Sequence, residues 1–513
     1  MPAMTKGEDR AGGGSPLPSS EGRQPDRTET APPPRRAGYQ RVGLWLGPLL
    51  AGLVLASPPP AGLSDAGWTV VAIAALMASW WATEAIPVPA TSLIPLIAFP
   101  MTGVLSATDA AAPYAHPVIF LLMGGFIMAM GMERWGLHTR IALHVVMAFG
   151  RSPNGLILGF MVAAALLSMW ISNTATTLMM IPIALSVAET VLGRDRLHDH
   201  RFTLCLLLGV AWAASIGGLG TIIGTPPNAF VVSFVANETG RQIAFIEWMA
   251  FGVPVVAALV PAAWWVLTRL TYRFDPTTVA GGREAVRDRL TALGAITRPE
   301  RRTAAVFVVV ANLWLWLLLL KKLPGLENLS NMVIAILGAL AMFLIPAGDR
   351  SRPDERLLDW HSAARLPWGV LLLFGGGLSL AAAIKASGLS VWVGAGLPDL
   401  AVLPLLVVVV AVVALIIFLT EMTSNTATVA AVVPILGAMA GAGGFDPLYL
   451  AAPAAMAGSA AFMLPVATAP NAIIFASGHV SIPQMVRAGF RLNLIGIVLI
   501  AGLCTALVPL IFG

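Results

Sequence analysis

Beyond residue 41 the chain alternates long apolar runs with short polar loops. Runs at 42–57, 67–83, 86–105, 118–149, 203–236, 245–268, 303–320, 329–346, 367–395 and 487–512 predict helices on the scale of the ~20 residues that cross a bilayer. The run 118–149 is long enough to break or tilt. Two further runs, Gly155–Val191 and 402–440, are interrupted near their midpoints by Ser172-Asn173-Thr174 and Ser424-Asn425-Thr426. Ser, Asn and Thr compete for backbone hydrogen bonds and favour helix N-caps, so each triplet predicts a break between two half-helices. Each arm of the first run is about 17 residues, ~25 Å as helix, which is short of a full crossing. Both runs therefore predict re-entrant hairpins, with Asn173 and Asn425 at the tips. Proline-containing breaks interrupt two more helices, at Gly224-Thr225-Pro226-Pro227-Asn228 and at Ala467-Thr468-Ala469-Pro470-Asn471.

The two halves share one register. Asn173 and Asn425 lie 252 positions apart, and so do Gly124 and Gly376, Gly136 and Gly388, and Pro182 and Pro434. An offset held without a gap across several helices indicates an internal duplication. Broken backbone survives in a membrane only where it lines a cavity or is buried in protein. Breaks at matching positions of two halves are therefore the strongest pointer to a transporter's binding site.

Composition agrees with a membrane protein: 57% of the 513 residues are hydrophobic and 11% are charged, against about 25% charged in soluble domains. The excess of five positive charges sits in loops, where it reads as a topology signal and not as a nucleic-acid surface. Cys205 and Cys504 both lie in apolar runs, which excludes a disulfide framework. Crossings counted along the chain put Arg151, Arg194, Arg196, Arg201, Arg350, Arg352, Arg356, Arg487 and Arg491 on the side of the amino terminus. Only Arg241, Lys321 and Lys322 fall opposite. This predicts a cytoplasmic amino terminus and, after eleven crossings, an outer carboxyl terminus. One hairpin then opens inward and the other outward, as inverted-topology repeats require.

The expected organisation is a disordered tail over 1–41, scaffold helices over 42–150 and 303–398, and a cytoplasmic link over 269–302. Transport elements would occupy 151–268 and 399–513. At each tip, hydroxyls and an amide converge with the free N–H groups that open a half-helix, which suits an anion. Unwound carbonyls and the oxygens of Ser, Thr and Asn suit a hard cation such as sodium.

Two Ser-Asn-Thr tips, each followed by a Thr-x-Pro-Asn break, resemble the divalent anion/sodium symporter family. Trp81-Ala82-Thr83-Glu84-Ala85-Ile86-Pro87, Glu133-Arg134-Trp135-Gly136-Leu137-His138 and Ser459–Ala467 extend the resemblance over nearly all of 42–512. It implies a first sodium site at Ser168, Ser172, Asn173 and the backbone of Gly224. A second would use Thr420, the backbone of Thr423, Asn425 and the backbone of Ala467. Substrate carboxylates would meet Asn173, Thr174, Asn425 and Thr426, with Thr468 nearby. The family also implies a homodimer, and the Arg-heavy, Lys-poor usage points to a GC-rich bacterial genome and hence a plasma membrane.

The expected activity is sodium-coupled, elevator-like transport of a C4-dicarboxylate such as succinate, malate or fumarate. The alternatives are sodium-independent exchange, or sulfate or citrate as substrate. Ala469 stands where family members often carry proline. The spans contain no nucleophile–base pair or metal cluster of the kind an intramembrane enzyme needs. Glu84 and Glu421 are intramembrane acids that serve function or anchor helices, while Glu133 and Lys385, also 252 apart, fall near span ends where long side chains snorkel.

Overall fold

The computed structural model describes residues 38–193, 200–275, 281–349, 352, 354–395 and 403–513. Of the expected tail, residues 1–37 lie outside the described residues, and a helix already begins at Gly38. Residues from Tyr39 onward form one compact unit.

The first half begins with α1 (Gly38–Ala56), α2 (Asp65–Thr83), α3 (Val88–Thr91), α4 (Pro95–Thr102), α5 (Ala107–Ala111) and α6 (Pro117–Arg134). It continues with α7 (Leu137–Phe149), α8 (Pro153–Ser168), α9 (Asn173–Leu192), α10 (Arg201–Gly217), α11 (Pro226–Thr239) and α12 (Phe245–Trp265). Within the connecting segment, α13 (Gly282–Ala292) buries Ala285 and Val286 and packs on α7 and α9, so the expected link is partly structured. The second half opens with α14 (Arg298–Leu315), α15 (Leu317–Leu320), α16 (Asn331–Leu344), α17 (Trp360–Ala363), α18 (Trp368–Ala386) and α19 (Leu389–Ala395). It ends with α20 (Leu405–Thr420), α21 (Asn425–Ala442), α22 (Leu448–Gly458), α23 (Ala469–Ala476) and α24 (Ile482–Phe512).

Among the described residues, eight helices are long and apolar enough to cross a membrane, and this is a multi-pass membrane protein. Other apolar helices are shorter because the chain breaks where the sequence places Ser-Asn-Thr, Gly or Pro. The run 118–149 divides at Gly136 (φ 69°), and its counterpart 367–395 divides at Gly388 (φ 76°). Both glycines are left-handed, which a side chain would strain, and they are 252 positions apart.

The halves interlock. A Cβ on Gly124 of α6 would lie 2.7 Å from the backbone of Ala335 in α16. A Cβ on Gly376 of α18 would lie 2.5 Å from the carbonyl oxygen of Ser92, which closes α3. Each long helix thus touches the backbone of an element from the other half, at positions related by the duplication. Ion pairs pin the helix ends. Arg134 binds Glu355 and Asp359, holding the Asp359 carboxyl down at about 2, and Arg140 Nε donates to Glu300 at 2.9 Å. Lys385 pairs with Glu238 of α11 at 3.2 Å, while Glu133 faces a central cavity.

Replacing Gly124 or Gly376 by Val drives carbon into backbone at these crossings. The expected destabilisation is about 1–3 kcal/mol, read as a lower Tm of the purified protein. Gly52→Val, at an open position on α1, is expected to leave Tm unchanged.

Candidate functional site

The four breaks meet in one place. A cavity of 760 Å³ is lined by Ser172, Asn173, Thr174, Gly224, Thr225 and Pro226 from the first half. Ser424, Asn425, Thr426, Ala467, Thr468, Ala469 and Pro470 line it from the second. Into it open the amino-terminal ends of α9, α11, α21 and α23. A helix start carries partial positive charge, and at α9, α21 and α23 it also offers N–H groups, whereas α11 opens on Pro226-Pro227 and contributes its dipole; four such ends around one space favour a multiply charged anion.

Both tips hold their asparagine through a hydroxyl. Ser168, the last residue of α8, donates its hydroxyl to Asn173 Oδ1, and Thr420, the last residue of α20, donates to Asn425 Oδ1 at 2.5 Å. Ser172 caps α9 by accepting the Ala175 N–H at 3.1 Å. The hydroxyl of Ser168 and that of Thr420 are buried behind the tips, so they reach the site through the two asparagines. Thr423 points elsewhere: its hydroxyl bonds the Leu419 carbonyl at 2.8 Å and the Thr428 hydroxyl at 2.6 Å, and it lines a separate apolar cavity beside Trp81. Only its backbone remains for a role at the tip.

Behind each tip a buried asparagine stitches the proline loop. Asn228 Nδ2 donates to the carbonyls of Gly218 (3.0 Å) and Thr221 (2.8 Å). Asn471 Nδ2 donates to Ala461 (3.3 Å) and Leu464 (3.0 Å), the same three positions shifted by 243. A Cβ built on Gly218 would sit 2.9 Å from both Asn173 Oδ1 and the Gly224 carbonyl oxygen. The missing side chain leaves a small space edged by an amide and a carbonyl oxygen, a donor set that suits a hard alkali cation. Sulfur and imidazole are missing from this set, and no cluster of three His, Cys, Asp or Glu suited to a metal occurs among the described residues.

The halves differ behind the tips. In the first, the Thr221 hydroxyl donates to the Met169 carbonyl at 2.5 Å. In the second, position 421 carries a carboxylate. Glu421, 3% exposed, accepts the backbone N–H groups of Phe462 (2.7 Å), Met463 (2.9 Å) and Leu464 (3.0 Å), and Asn493 Nδ2 at 2.8 Å. It therefore anchors the second loop and does not face the cavity. The sequence offered no sign of Asn493, which is one amide in the long apolar helix α24, or of Gly218. Thr225 and Ser459, whose hydroxyls meet at 3.2 Å, also join the halves unannounced. Ala469 is the first residue of α23, where Thr468 Oγ1 caps by accepting the Asn471 N–H at 3.2 Å. Alanine at that place retains an N–H that the matching Pro226 lacks. At the mouth stand Glu84, Glu133 and Arg365, with Glu84 held left-handed at φ 47°.

The model of the sodium:sulfate symporter transmembrane region matches residues 43–512. This chain belongs to the divalent anion/sodium symporter family. Similar to this symporter are the sodium-dependent dicarboxylate transporters SdcS of Staphylococcus saprophyticus and Staphylococcus aureus. Each is 42% identical over 480 residues, covering 92% of this chain and 92% of the relative. Among solved structures, the symporter resembles the YdaH transporter of Alcanivorax borkumensis (TM-score 0.55, 14% identity, covering 92% of this chain and 99% of that one). MtrF of Neisseria gonorrhoeae, from a class of antimetabolite efflux pumps, gives a TM-score of 0.54 at 12% identity over 92% of this chain and 94% of its own. At such identities these two likenesses establish the fold alone.

Removing the Glu421 carboxylate leaves three buried N–H groups without their acceptor, each costing about 1–3 kcal/mol. Glu421→Ala in the symporter is expected to lower Tm sharply. Glu421→Gln, which keeps one acceptor oxygen, should lower it less.

Proposed function

We propose that the protein is a secondary active transporter that carries a C4-dicarboxylate, such as succinate, malate or fumarate, together with sodium ions. The observation that carries this reading is the convergence of four half-helix starts and two hydroxyl–asparagine pairs on one cavity. The SdcS relatives, similar over nearly the whole chain, support both the substrate class and the coupling ion.

In this reading the carboxylates lie against Asn173, Thr174, Asn425 and Thr426, with Thr468 and the Ala469 N–H beside them. One sodium is held by Ser168, Ser172, Asn173 and the Gly224 carbonyl, and the other by Thr420, the Thr423 backbone, Asn425 and the Ala467 backbone. Two cations offset the two negative charges of the substrate, so the loaded site crosses the low-dielectric interior close to neutral, which neither cargo could do alone. Coupling follows: the Asn173 and Asn425 side chains face cation and anion at once, so each ligand raises the affinity for the other.

The two halves are inverted-topology repeats, with scaffold over 42–150 and 303–398 and transport elements over 151–268 and 399–513. The transport elements move as a block past the scaffold to expose the cavity on alternate faces. The amino terminus and the 269–302 link lie in the cytoplasm, the carboxyl terminus lies outside, and the protein works as a homodimer in the plasma membrane.

Labelled succinate uptake into proteoliposomes tests the reading directly. Uptake should require an inward sodium gradient and be lost in Asn173→Ala and Asn425→Ala. Uptake that needs internal dicarboxylate and ignores sodium would replace symport by exchange, and no uptake would redirect the search to sulfate and citrate. Ser168→Ala and Thr420→Ala should leave succinate binding at saturating sodium nearly intact while raising the sodium concentration for half-maximal rate. Ala469→Pro removes one N–H from a site for charged ligands, so KM for succinate should rise about tenfold.

A further inference from the structure

A second anion site is built away from the transport cavity. Where α10 begins, α12 has ended and α24 begins, a cavity of 400 Å³ is lined by Arg201, Arg273 and Arg487, and among the described residues no carboxylate lines it. Its frame is fixed by hydrogen bonds between the three elements. Arg201 donates to the Arg273 carbonyl at 2.8 Å, and the buried Tyr272 hydroxyl donates to the Gln484 carbonyl at 2.6 Å. Arg491 donates to the Thr271 hydroxyl at 3.0 Å. None of the three lining guanidiniums joins an ion pair among the described residues. Three like charges held around one pocket repel each other, and an anion offering several oxygens relieves that repulsion through the guanidinium forks.

The surroundings indicate the kind of anion. On α24, Arg487, Arg491, Leu494 and Val498 follow at spacings of four, three and four, so they share one face of the helix. Leu494 and Val498 are 46% and 70% exposed, and Leu270 at the rim of the pocket is 42% exposed. A charged pocket that continues into an exposed apolar strip fits a phosphate group with acyl chains attached.

We propose that Arg201, Arg273 and Arg487 form a phosphate-binding pocket for the headgroup of an anionic phospholipid, distinct from the dicarboxylate site. With the orientation proposed above, the pocket faces the inner leaflet, where anionic lipids attract basic residues. Arg201 and Arg487 belong to the segments proposed to move, whereas Arg273 lies at the start of the 269–302 link, so the bound lipid joins the transport block to the link.

Native mass spectrometry of the purified full-length protein tests this, with phosphatidylglycerol, phosphatidylethanolamine or inorganic phosphate added separately. Phosphatidylglycerol should be retained in preference to phosphatidylethanolamine. Retention should weaken about fivefold for each of Arg273→Gln and Arg487→Gln, the effect of one basic residue at an anionic surface. Arg487→Lys should restore most of it. Arg151→Gln, which removes another exposed arginine outside the pocket, is expected to change nothing. Succinate uptake by the same variants confirms that they are folded. Inorganic phosphate that binds with the same arginine dependence, without any lipid preference, would keep the pocket and make its ligand a soluble phosphate compound. Equal retention of the two lipids with no phosphate binding would overturn the proposal, as would an equal loss in Arg151→Gln.

Discussion

An unpaired backbone amide or carbonyl in hydrocarbon costs several kcal/mol, so a chain that breaks its helices inside a membrane must supply a partner for every group it exposes. This protein breaks four times around one cavity, and buried side chains satisfy the backbone at those breaks. Asn228 and Asn471 bind the loop carbonyls, and Ser172 and Thr468 cap the following half-helices. The groups left facing the cavity are the N–H ends of the helices and the oxygens of two asparagines. What remains unsatisfied by protein is what a dianion and its cations can satisfy.

The duplication gives this solution twice, yet the copies are not equivalent. The first proline loop is tied by a neutral hydroxyl–carbonyl bond from Thr221 to Met169. The second is gripped by a buried carboxylate that accepts three loop amides and the Asn493 side chain. An ionised acceptor makes stronger hydrogen bonds than a neutral one, so the second loop is held more firmly than the first. Pro226-Pro227 stiffens the first loop covalently, whereas the second has its two prolines apart, at Pro465 and Pro470, with Ala469 at the position matching Pro226. The same change leaves an N–H at Ala469 on one wall of the cavity.

Ion pairs and helix crossings hold the frame around these loops. Close approach at Gly124 and Gly376 locks each half to the other. Arg134 and Arg140 fix loop and helix ends, whereas Lys385 with Glu238 joins α18 to the broken α11. Glu133, at the position matching Lys385, joins no ion pair among the described residues and lines the cavity with Glu84 and Arg365. The two positions share the offset of 252, and the structure gives their side chains different neighbours.

The membrane class, the duplication, the four breaks and the residues at the tips were all legible in the sequence. Each depends on local chemistry: apolar runs of fixed length, proline that cannot continue a helix, and Ser, Asn and Thr that cap one. The division of 118–149 at Gly136 and the helix within the link were only partly visible, because a single glycine or a short amphipathic turn is a weak local signal. Contacts between distant segments could not be read. Glu421 looked like an acid at the tip, and only the packed chain turned it away from the cavity onto the loop at 462–464. Thr423 belongs to the motif by sequence, yet its hydroxyl serves Thr428 on the far side. Asn493, Gly218 and the three arginines of the second pocket come from elements far apart in the chain, so no spacing announces them. A side chain's neighbours depend on how helices cross, and the pattern along one helix carries no record of that crossing.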